Sequence, residues 1–114
     1  MADTPERKVK KKVITLLKER GAYYSMPVAS GFGNAGVPDI LVCYGGWFIG
    51  IECKAKGGKP TALQLSNLKQ IKEAGGVALI IDEWALEERV LDVVLDSIDM
   101  ETKHRENKVI ENGS

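Results

Sequence analysis

Two apolar runs separated by Gly45-Gly46 form the clearest pattern in the chain. Both runs are rich in β-branched and aromatic residues, and a Gly-Gly pair between such runs is typical of a two-residue β-hairpin turn. With the turn centred there, residues 40–44 pair with residues 47–51, and Ile40 lies opposite Ile51. Both faces of this hairpin are largely apolar, so we expect helices to cover both sides of the sheet.

A helical pattern precedes the hairpin. Thr4 is a suitable N-cap, and Pro5 suits the first helical position. Apolar residues then recur at helical spacing, and a glycine ends the helix: Val9, Val13, Leu16, Leu17 and Gly21. Residues 22–28 can form a short strand, which Pro27 places at a sheet edge.

The pattern after the hairpin predicts a helix, a strand and a last helix. Thr61 begins a helix that runs to about residue 75, and an apolar strand follows over 77–81. Together with the second hairpin strand these elements form a βαβ unit, in which the two strands are parallel. Asp82 caps a last helix over about 83–98, with one apolar face: Leu86, Val90, Val93 and Val94.

These elements predict an α/β fold, with a mixed β-sheet flanked by helices in the order α-β-β-β-α-β-α. The 114 residues suffice for one domain, which we place at residues 1–98. Residues 99–114 are mostly polar, and we expect a tail there that can be disordered.

Composition predicts an intracellular protein. The chain is 44% hydrophobic, yet no apolar run approaches the roughly 20 residues of a membrane span, so no membrane partner is expected. The charged N-terminus does not resemble a signal peptide. Cys43 and Cys53 both fall in predicted strands, where buried free thiols are usual. We therefore expect a reducing, cytoplasmic location.

The net charge of zero conceals a basic half and an acidic half. Residues 1–20 carry seven Lys or Arg against three acids, and residues 54–72 carry five lysines and no acid. Residues 73–101 carry nine acids and a single basic residue, Arg89. A basic surface suits a polyanion such as nucleic acid. The alternative is that these lysines only solvate helix surfaces.

The hairpin register also places Asp39 opposite Glu52, with Lys54 on the same face as Glu52. Like charges directly opposed across a sheet are destabilising, so the two carboxylates need a partner. Lys54 is one candidate, and a divalent metal ion is the other, since Mg²⁺ binds through one or two carboxylates, waters and phosphate oxygens. The alternative is that both carboxylates splay into solvent near lysines.

Two further polar residues have both a structural and a functional interpretation. Glu6 lies three residues before Val9, near the core-facing side of the first helix. It either favours the helix dipole or supplies a further carboxylate to the metal site. Gln64 either completes a capping box with Thr61 or projects toward the end of the Glu52 strand.

Pro38-Asp39 followed by Glu52-Cys53-Lys54 resembles the PD-(D/E)xK nuclease signature. With Gly36 and Gln64 included, the chain more narrowly resembles the virus-type replication-repair nuclease (VRR-NUC) domain, over roughly residues 6–82. The resemblance implies a restriction-endonuclease-like core and a metal-dependent, structure-specific DNA endonuclease. The chain has no added DNA-binding domain, so it resembles the stand-alone phage-type members. That implies a homodimer acting on branched DNA, such as a Holliday junction.

The resemblance also implies roles for individual residues. Asp39, Glu52 and the backbone carbonyl of Cys53 would hold Mg²⁺, for which Mn²⁺ can substitute, and Glu6 would join them. Lys54 would orient the attacking water and offset negative charge, and Gln64 would position the water, Lys54 or a DNA phosphate. Five lysines are candidate DNA-phosphate contacts: Lys8, Lys11, Lys12, Lys56 and Lys59.

Three other interpretations remain open at this point. The chain could be a non-catalytic module that binds branched DNA, or a sequence-specific, restriction-type nuclease with the same chemistry. It could also be a small α/β protein in which the Asp39, Glu52 and Lys54 triad is incidental. Metal-dependent cleavage would distinguish a nuclease of either kind from the binding module and from the protein with an incidental triad.

Overall fold

The computed structural model describes residues 3–28 and 35–111, with side chains through residue 106. One mixed sheet has the strand order β1-β2-β3-β4, where β1 is Tyr23–Ser25, β2 is Ile40–Tyr44, β3 is Trp47–Cys53 and β4 is Val77–Ile81. The helices are α1 (Pro5–Glu19), α2 (Ala62–Glu73), α3 (Glu83–Glu87) and α4 (Val90–Glu111). The predicted α/β class, with a mixed sheet flanked by helices, is confirmed.

The hairpin has the register that the sequence predicted. β2 and β3 are antiparallel, and Ile40 pairs with Ile51. Gly45 and Gly46 have φ values of 57° and 82°, the left-handed conformation that a tight hairpin turn requires at both positions. β3 and β4 are parallel, as predicted. The start of β2 and the ends of β3 and β4 therefore lie together at one end of the sheet.

The hydrophobic core lies between one face of the sheet and helices α1 and α4. Its buried aliphatic residues come from α1, from the sheet and from α4: Val9, Val13, Leu17, Ile40, Val42, Ile49, Ile51, Ile81, Leu91, Leu95 and Ile98. Each fully buried aliphatic side chain contributes about 1.5–3 kcal/mol relative to an exposed one. This packing fixes α1 against the hairpin, and so fixes where the first turn of α1 meets the end of the sheet.

The second face of the sheet is covered only in part. Helix α2 packs there so closely that a Cβ on Gly50 would lie 2.6 Å from Ile71 Cδ1. Nearer to β1, Phe48 is 46% exposed and Cys43 is exposed. The expectation that helices cover both faces was therefore wrong for this region, as was the expectation that Cys43 is buried, because α2 packs over the β3 and β4 side of the sheet.

The predicted bounds of the last helix were also wrong. Arg89 adopts a left-handed φ of 57° and separates α3 from α4. Helix α4 then continues to Glu111, so residues 99–111 extend this helix instead of forming the expected tail, and residues 112–114 lie outside the described part. The break changes the buried stripe: Leu91 and Leu95 are buried, whereas Val93 is 59% exposed.

Within the described residues, no helix combines the length and the apolar character needed to cross a bilayer.

Candidate metal centre

Three carboxylates meet at the end of the sheet where β3 and β4 finish. Asp39 directly precedes β2, Glu52 is the next-to-last residue of β3, and Glu6 lies in the first turn of α1. One oxygen from each of these side chains lies within 4.8 Å of the others. The hairpin register brings Asp39 and Glu52 together, and the packing of α1 on the core adds Glu6. The sequence predicted all three.

Asp39 is held across the hairpin by the backbone. Its Oδ2 accepts a hydrogen bond of 2.8 Å from the backbone N–H of Cys53, and its Oδ1 lies 3.7 Å from Lys10 Nζ. The Cys53 thiol itself points into the core, and burial, followed by the nearby Asp39 carboxylate, raises the pKa of that thiol to about 12. The thiol is thus protonated at neutral pH, and Cys53 serves the site through its backbone.

Gln64 has both of the roles that its sequence position suggested. Its Oε1 accepts a 2.9 Å hydrogen bond from the N–H of Thr61, while the Thr61 hydroxyl accepts from the N–H of Gln64, which completes a capping box. With its oxygen engaged, the amide turns its nitrogen toward the site, and Nε2 donates to Glu52 Oε2 at 3.1 Å. The cap therefore fixes the orientation of the amide that holds Glu52.

Lys54 is the other partner of the buried glutamate. Its Nζ lies 3.5 Å from Glu52 Oε2, and its side chain is only 15% exposed. Lys54 directly follows β3, where its backbone N–H donates to the carbonyl of Ile81 at 2.9 Å. Both hydrogen-bond and ionic partners of Glu52 thus act on the same oxygen.

The second oxygen of Glu52 lacks a partner. Glu52 is 1% exposed, and within the described part of the chain its Oε1 is buried without a hydrogen bond. Burial, and next the Asp39 carboxylate, raises the pKa of Glu52 to about 7, with Lys54 acting in the opposite direction. An ionised carboxylate oxygen in such a place is costly unless a cation or donor meets it.

A divalent cation fits this arrangement. Three carboxylates face two ammonium groups, Lys10 and Lys54, which leaves a net negative charge when all are ionised. Hard cations such as Mg²⁺ and Mn²⁺ prefer oxygen ligands of this type. The cluster of Glu6, Asp39 and Glu52 could therefore hold a metal ion, and the unpartnered Glu52 oxygen is the observation that favours one.

Lys10 is the site residue that the sequence analysis missed. It follows Glu6 by four residues, which is about one turn of α1, so both side chains project toward the end of the sheet. That spacing was readable in the sequence. The spacing alone does not single out Lys10, because the lysine-rich run over residues 8–12 offers several candidates without indicating which side of the helix faces Asp39.

The other α1 lysines lie elsewhere. Lys8 and Lys12 line a groove between α1 and α3, together with Glu83 and Glu87. Lys11 forms an exposed ion pair of 2.7 Å with Asp3. These predicted DNA contacts are therefore on the surface of α1 but outside the carboxylate cluster.

The two predicted lysines of the loop after β3 are both exposed. Lys56 Nζ lies 4.9 Å from the ring centroid of Trp84 in α3, and Lys59 precedes Pro60 at the approach to α2. This loop leaves the sheet at Lys54, so both lysines follow a residue of the site closely in the chain.

No family model matches the chain, and no curated protein matches it either. The geometry and chemistry of the carboxylate cluster and its neighbours are therefore what indicate a function.

Proposed function

We propose that this protein is a Mg²⁺-dependent endonuclease that hydrolyses phosphodiester bonds in DNA, with Mn²⁺ able to replace Mg²⁺. The observation that carries the proposal is the cluster of Glu6, Asp39 and Glu52, with Lys54 Nζ 3.5 Å from the buried glutamate. Carboxylates that fit a hard cation, beside an ammonium group, suit hydrolysis of a phosphate ester.

In this proposal each side chain has a distinct task. Glu6, Asp39 and Glu52 would hold the cation, with the Cys53 carbonyl as a further oxygen ligand, and Gln64 keeps Glu52 in place through its amide. When bound, the cation polarises the phosphoryl group and lowers the pKa of coordinated water. Lys54 orients the attacking water and stabilises negative charge that develops on the phosphate.

The charge distribution supports DNA as the substrate. Residues 54–72 contain five lysines and no acid, and two of these lysines lie in the exposed loop that follows Lys54. Exposed lysines on the loop and on α1 can contact backbone phosphates without reading sequence: Lys8, Lys11, Lys12, Lys56 and Lys59. We expect binding that weakens steeply with salt, since each neutralised phosphate releases counterions.

The more specific part of the proposal comes from the resemblance of the Pro38-Asp39 and Glu52-Cys53-Lys54 motifs to the PD-(D/E)xK and VRR-NUC nucleases. We propose that the chain acts in the cytoplasm on branched DNA, as a Holliday junction resolvase does. One site makes one nick, so paired cuts need two protomers, and a homodimer follows.

Cleavage of end-labelled DNA tests this proposal. The substrates are a four-way junction, a 5′ flap, a linear duplex and a single strand, each incubated with Mg²⁺ or with EDTA. We expect the junction to be cut in Mg²⁺ only, by the wild type and by the exposed control Glu19→Gln, and to remain intact with Glu52→Gln. Symmetric paired nicks support a dimeric resolvase.

The main alternative is a module that binds branched DNA without cutting it. Tight junction binding without cleavage in either Mg²⁺ or Mn²⁺ would favour that alternative and refute the enzyme. Preferential cutting of one linear duplex sequence would instead indicate the restriction-type nuclease.

A further inference from the structure

Trp84 presents an indole at the same end of the sheet as the carboxylate cluster. It lies in the first turn of α3, directly after β4 and the N-cap Asp82, and is 50% exposed. The end of β4 is tied to the start of the loop after β3, because the N–H of Lys54 donates to the carbonyl of Ile81 at 2.9 Å. The indole thus flanks the loop that begins at Lys54.

The loop contacts the start of α3 at two points, the N-cap Asp82 and the Trp84 indole. The N–H of Gly57 donates to Asp82 Oδ2 at 3.4 Å, and Lys56 Nζ lies 4.9 Å from the Trp84 ring centroid. Gly57 has a left-handed φ of +75°, and a Cβ built on it would lie 4.0 Å from Trp84 Cζ3. Lys56 and Trp84 therefore form one surface unit, an ammonium group above an aromatic ring.

The loop side of this unit is basic. Residues 54–72 include lysines but no acid. Asp82 uses both carboxylate oxygens for backbone N–H groups, since Oδ1 accepts from Ala85 at 2.9 Å and Oδ2 accepts from Gly57. Asp82 is thus committed to holding the helix start and the loop, and Lys56 has the aromatic ring as its neighbour. The acids that adjoin Trp84 in the chain are Glu83, Glu87 and Glu88, and two of them, Glu83 and Glu87, line the groove that α3 forms with Lys8 and Lys12 of α1.

An exposed aromatic ring beside ammonium groups matches the chemistry of an unpaired nucleotide. A base stacks on the ring, and the adjoining phosphate meets the lysine. The contact between Lys56 and the indole is a surface cation–π pair, which is weak enough to be exchanged for such a ligand. Bases inside an intact duplex are already stacked and cannot occupy this surface.

We propose that Trp84 and Lys56 form a stacking platform for an unpaired nucleotide beside the phosphodiester bond that is cut. This inference rests on the proposed function and specifies its substrate class, which is DNA with at least one unstacked base near the cleavage site. One residue, Ala55, separates Lys54 from Lys56, so their Cα atoms are at most about 7 Å apart.

Tryptophan fluorescence tests the platform directly. The chain contains two tryptophans, so Trp47→Phe leaves Trp84 as the single reporter. The variant is titrated in CaCl₂ with a short oligothymidylate and, separately, with a blunt duplex. We expect quenching of the Trp84 emission by oligothymidylate at concentrations that saturate binding, and little change with the duplex. Binding of oligothymidylate without any change in the emission would overturn the platform.

Affinity measurements in the full chain provide the second readout. Since one base–aromatic stack is lost, Trp84→Ala should lower the affinity for oligothymidylate by about tenfold and leave the affinity for the duplex unchanged. Trp84→Phe should keep most of the affinity, because a ring remains. Tyr23→Ala is the matched control, since Tyr23 is 75% exposed on the edge strand β1, at the opposite edge from β4.

The outcomes separate this inference from the proposed function. An equal loss for both DNA forms with Trp84→Ala would show that the indole only positions the loop, and would overturn the platform. Mg²⁺-dependent cleavage by the wild type is measured in parallel. Cleavage combined with unchanged Trp84→Ala binding refutes the platform alone. Selective loss of oligothymidylate binding without wild-type cleavage refutes the nuclease and keeps the platform as a binding surface.

Discussion

Replacing Glu52 with glutamine should raise stability and, at the same time, lower the affinity for a divalent cation at least about tenfold. The carboxyl group is 1% exposed and lies near Asp39, and its Oε1 is buried without a hydrogen bond in the described part of the chain. Glutamine has nearly the same shape, keeps an acceptor for the amide of Gln64, and carries no charge. The substitution therefore removes the buried charge while leaving the packing in place.

The magnitude follows from the pKa of Glu52. Burial and Asp39 raise this pKa to about 7 from an ordinary 4.5. Because the folded state favours protonated Glu52, the contribution of this group to the free energy of unfolding is fully present below pH 4.5. It is lost as pH rises to 7. At 1.36 kcal/mol per pKa unit, the wild type has lost about 3 kcal/mol by pH 8. Glutamine avoids this loss of stability. The gain is reduced by the attraction between Lys54 and the Glu52 carboxylate, which the substitution removes.

Thermal unfolding in EDTA at pH 5 and pH 8 measures this effect. At roughly 4 °C per kcal/mol for a domain of this size, Glu52→Gln should unfold up to about 12 °C above the wild type at pH 8, and close to it at pH 5. The exposed control Glu19→Gln should match the wild type at both pH values. A Glu52→Gln variant that is less stable than the wild type at pH 8 in EDTA would refute the reasoning.

Three further predictions concern the metal site, the segment before Asp39 and the Arg20 ion pairs. In EDTA the wild type should lose stability from pH 5 to pH 8, and Mg²⁺ should raise its Tm more at pH 8 than at pH 5, because the cation favours the ionised carboxylate; equal Mg²⁺ effects would contradict this. Gly36→Ala should cost about 1–3 kcal/mol in urea unfolding and weaken Mn²⁺ binding, since its Cβ would lie 2.7 Å from the carbonyl oxygen of Leu63 and displace the segment carrying Asp39; unchanged metal affinity would argue against that displacement. Arg20→Met should cost about 1 kcal/mol, less in high salt, since Arg20 bonds the exposed Asp96 at 2.7 Å; a loss that is independent of salt would point to packing instead.

The hairpin was predictable because its information is local. The Gly45-Gly46 turn sets the pairing, and strand side chains alternate with a period of two, so the positions of Asp39 and Glu52 follow from the turn alone. The βαβ unit was equally readable, since α2 and β4 follow β3 with clear start and stop signals. The positions of Asp39 and Glu52 in the carboxylate cluster were predictable because these elements were.

Contacts that depend on how a helix is rotated were harder to predict. Helical spacing places Lys10 one turn after Glu6, but only the packing of α1 on the core shows that this side meets Asp39. Lys8 and Lys12 lie instead beside the acids of α3. The sequence shows that several lysines lie on α1, but only the packing of the helix determines which of them contacts the site.

The break at Arg89 had no clear signal in the sequence. Its left-handed φ of 57° is unusual for a residue other than glycine, and no glycine or proline lies between residues 83 and 98. The break rotates α4 so that Leu91 and Leu95 enter the core, and their burial offsets the backbone cost. A pattern of apolar residues alone could not distinguish this arrangement from one continuous helix.

The central claim is that Glu6, Asp39 and Glu52 form one site for a divalent cation. Titration of Mn²⁺ into the protein, with free Mn²⁺ followed by electron paramagnetic resonance, tests that claim most directly. We expect saturable binding to the wild type and to Glu19→Gln, and affinity lowered at least about tenfold in Asp39→Asn and Glu52→Gln. Equal Mn²⁺ binding by all four proteins, or no saturable binding by the wild type, would contradict it.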